Sequence, residues 1–215
     1  MNIVFDFGAV LFAWRPLELV AQVFPEMADT PQTAKSFAHA VFAHADWLDF
    51  DRGRLDRDGV AARTAQRLSL DPQRVTCLVD AVGTGLIPLP PTLALLRELH
   101  VLQQSASGGV RGLYFLSNMS EPFSRMLERN YDFLQWFDGG IFSGDVQLIK
   151  PEPAIYELLQ SRYALDPAMT VFIDDMPYNV DAAKALGWHA IHFSSAEQLR
   201  NALAALIPAL TNEDP

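Results

Sequence analysis

Five short apolar runs constrain what this chain can fold into. Residues 3–5, 112–116, 170–173 and 190–193 are rich in Val, Ile, Leu and Phe without alternating with polar residues, and 140–142 is a shorter run of the same kind. A strand with one wet face alternates, whereas a strand covered on both faces does not, so these runs predict a parallel sheet between helices. Helical spacing fills the gaps: Leu93, Leu96 and His100; Ile155, Leu158 and Leu159; Leu199, Leu203 and Leu206. Ser120 is read as the cap of a helix that admits Pro122 in its first turn, and Gly187 as the stop of a helix that starts near Pro177. The fold class that follows is α/β, a doubly wound parallel sheet with a Rossmann-like core over 1–14 and 88–215.

The first strand interrupts that rhythm, because no second parallel strand follows it before Gly112. Residues 15–87 read instead as an inserted, small helical domain. Val60, Thr64 and Leu68 share a face, Asp71-Pro72 opens a further helix, and Phe37, Phe42, Trp47 and Phe50 supply aromatic bulk. Pro88, Pro90 and Pro91 make the return to the core stiff. Residues 103–109 read as a flexible surface loop and 211–215 as a frayed tail.

Composition removes several classes of function. The chain has 215 residues and a net charge of −10 with no Lys/Arg run, which argues against nucleic acid as a partner. No apolar run is long enough for a membrane span, and no secretory signal pattern opens the chain. Cys77 is the single cysteine, which rules out an internal disulfide or a Cys-rich zinc site and fits a cytoplasmic, reducing location; its helical, apolar surroundings place it in the core. A small anionic substrate stays open, since one cation and one lysine reverse a local field.

Ligands of an open α/β sheet bind beyond the carboxyl ends of its strands. There the first run ends in Asp6-Phe7-Gly8, the second in Ser117-Asn118, the third leads to Lys150-Pro151, and the fourth ends in Asp174-Asp175. Each residue alone has an ordinary reading as a turn former, a helix cap or a solvated charge. Their recurrence at equivalent places in successive βα units is what singles them out. The histidines build no rival site, since none has zinc-ligand spacing joined to a carboxylate.

The segments VFDFGAVL (4–11), LYFLSN (113–118), GDVQLIKPEPAIY (144–156) and VFIDDMPYNVDAAKALGW (171–188) resemble, in order and spacing, the four motifs of the haloacid dehalogenase-like superfamily. The insertion is similar to the cap domain of many members, and WLDFDRGRLD (47–56) resembles, more loosely, the cap of bacterial hexose-phosphate phosphatases. The resemblance implies a magnesium-dependent hydrolase of a small phosphorylated metabolite, such as a sugar phosphate. Asp6 is then the nucleophile, and Asp6, the Gly8 carbonyl and Asp175 are magnesium ligands, with Asp174 behind them holding one of the cation's waters. Lys150 bridges nucleophile and phosphoryl oxygens, Ser117 and the Asn118 N–H bind the phosphoryl group, and Asn179 orients Lys150 or the inner carboxylates.

One departure is Gly8. Most phosphatases of this family carry there a second Asp that protonates the leaving group, help typically worth ~10²–10⁴-fold. Two rivals therefore stand beside the phosphatase: a phosphometabolite-binding protein with weak turnover, suggested by Gly8, and a metal-free 2-haloacid dehalogenase, opposed by the acidic pair Asp174-Asp175. Trp47, Asp49, Asp51 and Arg52 read as a solvated turn around Gly53, in preference to residues that face the site from the insertion; His39 and His44 read as exposed or packed residues of the insertion, and Trp14 as hinge packing in preference to a substrate contact. The oligomeric state is not legible.

Overall fold

A computed structural model of the protein describes residues 1–105 and 107–210. Five parallel strands, β1 (Asn2–Phe5), β2 (Gly112–Ser117), β3 (Gly139–Phe142), β4 (Thr170–Asp174) and β5 (His189–His192), lie in the order β3-β2-β1-β4-β5. β1 is central, with Phe5 opposite both Phe115 and Ile173. The chain winds outward from β1 through β2 to β3, then crosses to β4 and β5 on the other side, which makes the carboxyl end of β1 the switch point where ligands of such sheets bind.

The period of two along each strand feeds two cores. Ile3, Phe5, Leu113, Val171 and Ile173 face one, and Val4, Leu116 and Phe172 the other. The second core is closed by α8 (Pro153–Arg162) through Ile155, Tyr156 and Leu159, and by α9 (Pro177–Ala185) through Ala183. The first is closed by α6 (Pro90–Gln103), α7 (Glu121–Asn130) and α10 (Ala196–Ala204). The central runs of the sequence are strands buried on both faces, as expected, whereas the edge strand β5 is half-buried, with His189 and His192 exposed.

Between β1 and α6 the chain forms five helices: α1 (Pro16–Val23), α2 (Pro31–Phe42), α3 (Ala45–Asp51), α4 (Arg57–Leu68) and α5 (Pro72–Gly85). It leaves and re-enters the core through a short antiparallel pairing, with Ala13 N–H donating to the Ile87 carbonyl and Leu89 N–H to that of Leu11, both at 2.8 Å. Asp56 and Asp71 cap α4 and α5, and α1, α2, α5, α6, α8 and α9 each begin on proline, whose missing N–H is not needed there.

Some local expectations change. Ser120 holds the N-cap position of α7, but its hydroxyl makes no cap bond and is buried without a partner. Cys77 is exposed: α5 buries Val75, Leu78, Val79 and Val82, and position 77 falls two residues, some 200° of helix turn, from Val75. Within 103–109, Gln103 still belongs to α6 and Ala106 lies outside the described residues, as does the tail at 211–215. Among the described residues no helix is long and apolar enough to cross a membrane.

Candidate active site

Asp6 follows β1 directly, and its N–H bonds the Ile173 carbonyl at 2.9 Å, so the ladder continues up to the carboxylate. The loop beyond is fixed by Phe7. Its carbonyl accepts from Leu11 at 2.9 Å and Phe12 at 2.8 Å, and its ring packs among Phe12, Phe115, Phe137 and Phe142. Asp6 Oδ1 accepts the Phe7 N–H at 2.7 Å and pairs with Lys150 Nζ at 2.8 Å.

Lys150 arrives on the loop after β3 and is almost wholly buried. The side chain of Asn118, just past β2, clamps its backbone: Nδ2 donates to the Lys150 carbonyl at 3.1 Å, and Lys150 N–H donates to Oδ1 at 2.8 Å. The ammonium bridges Asp6 and Asp174 Oδ2, the latter at 2.7 Å, and lies 5.4 Å from the centre of the Phe172 ring. Asn179 donates to both oxygens of Asp174 at 3.0 Å, and Met176 N–H donates to Oδ1 at 2.8 Å. Of the two partners expected for Asn179, its hydrogen bonds therefore go to an inner carboxylate and not to Lys150. The clamp by the Asn118 side chain is absent from the sequence reading; an amide immediately after a strand end was its only signal.

Ligand atoms of Asp6, Asp174 and Asp175 all lie within 4.8 Å of one another. Three carboxylates without nitrogen or sulfur suit a hard divalent cation such as magnesium. Both oxygens of Asp174 are already taken by Lys150, Asn179 and the Met176 N–H, whereas among the described residues no donor reaches Asp6 Oδ2 and the Asp175 carboxylate takes only its own backbone N–H. The same crowding shows in the acidities. Burial pushes the Asp6 carboxyl up, Lys150 pulls it back, and Asp174 and Asp175 push it up again, to about 7. Burial, with Asp174, carries Asp175 to about 6. Burial lowers the Lys150 ammonium, but Asp174 and Asp6 outweigh it, so its net shift is upward. Added positive charge would relieve both acids.

Ser117 closes β2, almost fully buried, and lines with Asp6, Gly8, Asn118, Lys150, Asp175 and Asn179 one end of a cavity of about 830 Å³. The remaining wall comes largely from the insertion, through Leu17, Phe42, Trp47, Leu48, Val82 and Leu86, with Trp14, Phe123 and Ile149 from the core. Trp14 thus does more than pack a hinge. It meets Phe42 edge-on at 5.1 Å, Phe42 meets Trp47 at 4.7 Å, and Trp47 meets Phe50 at 5.4 Å, one continuous chain of T-shaped rings. His39 is exposed on the cavity's edge, and His44 caps α3 by accepting the Asp46 N–H at 3.1 Å.

The solvated turn expected around Gly53 is a correction. Trp47 is buried, and Asp51 and Arg52 line the cavity, while Asp49 lies away from it, paired with Arg54 at 3.7 Å. Gly53 has φ +76° and presses on the Gly144 carbonyl, where any Cβ would collide. Ser143 Oγ, fully buried, donates to the Asp51 carbonyl at 2.5 Å and accepts the Met119 N–H at 2.8 Å, and Arg52 forms a bidentate pair with Glu152. These ties fasten the insertion to the rim of the sheet.

A family model described as haloacid dehalogenase-like hydrolase matches residues 2–187. The sesquiterpene phosphatase astK of Aspergillus oryzae is 26% identical over 194 residues, 90% of this chain and 89% of that one. A phosphoglycolate phosphatase of Salmonella typhimurium is 30% identical over 129 residues, 60% of this chain and 48% of the enzyme. Among solved structures, a HAD family enzyme from Bacteroides thetaiotaomicron superposes with a TM-score of 0.70 at 18% identity, covering 94% of this chain and 97% of that one. The same enzyme in complex with magnesium and inorganic phosphate gives a TM-score of 0.64 at 18% identity over 90% of this chain and 93% of that one.

Proposed function

The chain belongs to the haloacid dehalogenase-like hydrolases, and from that premise we propose that it is a magnesium-dependent phosphomonoester hydrolase working through an aspartyl-phosphate on Asp6. The observation that carries this reading is the cluster itself: an unattached carboxylate oxygen on Asp6, two further carboxylates within 4.8 Å, and one buried ammonium. Relatives named as phosphatases, one for a sesquiterpene and one for phosphoglycolate, support it.

Asp6 Oδ2 and the Asp175 carboxylate, which no other side chain engages, would hold magnesium with the Gly8 carbonyl, and Asp174, saturated by its own bonds, stands behind them. Bound magnesium would supply positive charge that lowers the pKa of both carboxyls and draws in a phosphoryl group. Asp6, ionised, attacks phosphorus. Lys150 neutralises part of the charge on the nucleophile and the phosphoryl oxygens, while Ser117 Oγ and the Asn118 N–H donate to the latter. The phosphorus–oxygen bond to the leaving group breaks, and the departing oxygen takes its proton from water, because Gly8 offers none. Water then attacks the acyl phosphate, which restores the Asp6 carboxylate and frees inorganic phosphate. Residues 15–87 act as the cap that closes the cavity and shapes it.

The test is release of phosphate from p-nitrophenyl phosphate and a panel of phosphorylated metabolites. Turnover is expected with magnesium and should vanish in excess chelator. Undiminished hydrolysis by metal-stripped protein would overturn the magnesium reading, and no hydrolysis of any phosphate would overturn the phosphatase.

A further inference from the structure

We infer that the group carried by the phosphate is bulky and apolar, with few or no hydroxyls; this rests on the phosphatase reading and names its substrate class. The cavity beside Asp6 and Lys150, at about 830 Å³, is in the range that holds a drug-sized ligand. Away from the reactive cluster its wall is dominated by apolar side chains, among them Trp14, Leu17, Phe42, Trp47, Leu48 and Leu86.

The polar side chains on that wall are mostly committed. Arg52 and Glu152 bond each other, and Asn118 is spent on the backbone of Lys150. Lys35 and His39 are exposed, and Tyr178 is 53% exposed. Asp51 is engaged as well, since its carboxyl accepts a hydrogen bond from the Trp47 indole. A sugar phosphate bound here would bury several hydroxyls against hydrocarbon, and each hydroxyl without a partner costs affinity. A hydrocarbon body costs nothing of that kind and gains from leaving water.

A second observation points the same way. Among the described residues six large apolar side chains are exposed, and three of them, Leu17 (42%), Leu48 (38%) and Tyr178 (53%), line this one cavity. Apolar groups left wet around an opening that is continuous with the nucleophile mark a surface that a ligand covers. The expectation of a sugar phosphate, drawn from the resemblance of residues 47–56, is met only by Lys35, His39 and Tyr178 at the exposed edge of the cavity, and by no uncommitted polar group along its buried apolar wall.

The experiment compares ethyl, butyl, hexyl and octyl phosphate with glucose 6-phosphate, using the full chain with magnesium. All five leave as primary alkoxides, so leaving-group chemistry is held nearly constant. We expect kcat/KM to rise about two- to fourfold per methylene along the alkyl series, and glucose 6-phosphate to fall at least about tenfold below octyl phosphate. Leu48→Gln and Leu17→Gln, at half-exposed positions that tolerate the change, should each flatten the slope, mainly by raising KM for the octyl ester. A flat series, or glucose 6-phosphate as the better substrate, overturns the inference while p-nitrophenyl phosphate turnover leaves the phosphatase standing. If nothing is hydrolysed, calorimetric binding of octylphosphonate against ethylphosphonate decides: tighter octyl binding upholds the apolar site, and equal binding removes it.

Discussion

Lys150 and Trp47 line the same cavity and are held there by different forces. Lys150 is fixed by direction: two ion pairs at 2.7 and 2.8 Å and a two-point backbone clamp leave its ammonium one position. Trp47 is fixed mainly by shape, wedged edge-on between Phe42 and Phe50, with a single hydrogen bond to Asp51. The rim of the sheet is a polar network in which removing one partner strands a buried charge. The wall built by the insertion is a packed apolar surface that changes size and outline without changing charge. On this division the rim sets the chemistry and the wall sets what the phosphate may be attached to, so substitutions in the two regions should fail in different ways.

The sharpest break is Asp6→Asn. The amide keeps the volume but is a poor nucleophile, and a lost nucleophile in a comparable hydrolase costs up to about 10⁶-fold in kcat. We expect at least ~10⁴-fold loss with the fold intact, since the amide still accepts from the Phe7 N–H and from Lys150. Steady-state phosphate release and a thermal melt measure both; activity within tenfold of the parent would take Asp6 out of the chemistry.

Lys150→Ala comes next and tests whether the rim is a network. It removes the cation shared by Asp6 and Asp174, both buried. Breaking such a pair from one side costs roughly 3–5 kcal/mol of stability, and losing a fixed electrostatic donor costs ~10²–10³-fold in kcat. Denaturant titration alongside kinetics should show both losses together. A variant as stable as the parent but slow would confine Lys150 to the reaction.

The same contrast explains what could be read from the sequence. Asp6, Ser117, Asp174 and Asp175 stand at the ends of strands whose register is set by buried, non-alternating runs, so their convergence follows from topology. Lys150 and Asn179 follow because Pro153 and Pro177 mark the helix starts beside them. The wall was not legible. Phe37 and Phe42 both belong to α2, yet Phe37 is buried against Phe24 while Phe42 faces the cavity. An aromatic at helical spacing looks the same whether it meets core or ligand. Asp51 and Gly53 were hidden for a related reason: their partners, Ser143 and Gly144, lie about ninety residues away, and no local pattern announces such a meeting.

Magnesium sharpens the comparison through pH. In the cation-free protein Asp6 is held near 7 and Asp175 near 6, above the ordinary carboxylate range. A carboxyl with a raised pKa in the fold binds more protons folded than unfolded between about pH 4 and 7. Stability without the cation therefore falls as pH rises through that window. Magnesium competes with those protons, so it should bind weakly near pH 5.5 and firmly near 7.5. At a hundredfold excess over its dissociation constant the gain is about 2.7 kcal/mol, or roughly 5–10 °C in Tm for a chain of this size. Thermal melts at the two pH values check it. An equal shift at both would mean that the carboxyls are ionised in the folded protein before the cation arrives.

The smallest effect is expected where rim and wall meet, at Gly8. This residue lines the cavity two positions past Asp6 and has no acid to protonate a departing alkoxide. Its backbone is not in the left-handed region, which the loop assigns instead to Ala9 at φ +57°. A Cβ at Gly8 would meet nothing nearer than the Trp14 Cβ at 4.0 Å, ordinary van der Waals contact. Gly8→Asp is therefore sterically admissible, and the new carboxyl would enter a space already crowded by Asp6, Asp174 and Asp175, a setting that keeps one more proton bound. Such a group can act as an acid, although nothing in the wall is arranged to aim it. We expect about a tenfold gain for alkyl phosphates, whose leaving oxygen needs the proton, well short of the ~10²–10⁴-fold of a positioned acid. Turnover of p-nitrophenyl phosphate, whose phenolate departs unaided, should stay nearly unchanged. The measurement is kcat/KM against leaving-group pKa for both proteins: the parent should show the steeper dependence and the variant a shallower one. A parent that is already flat would mean that another residue delivers the proton, and Asp51, whose burial pushes its carboxyl well above the ordinary range, is the cavity residue to substitute next.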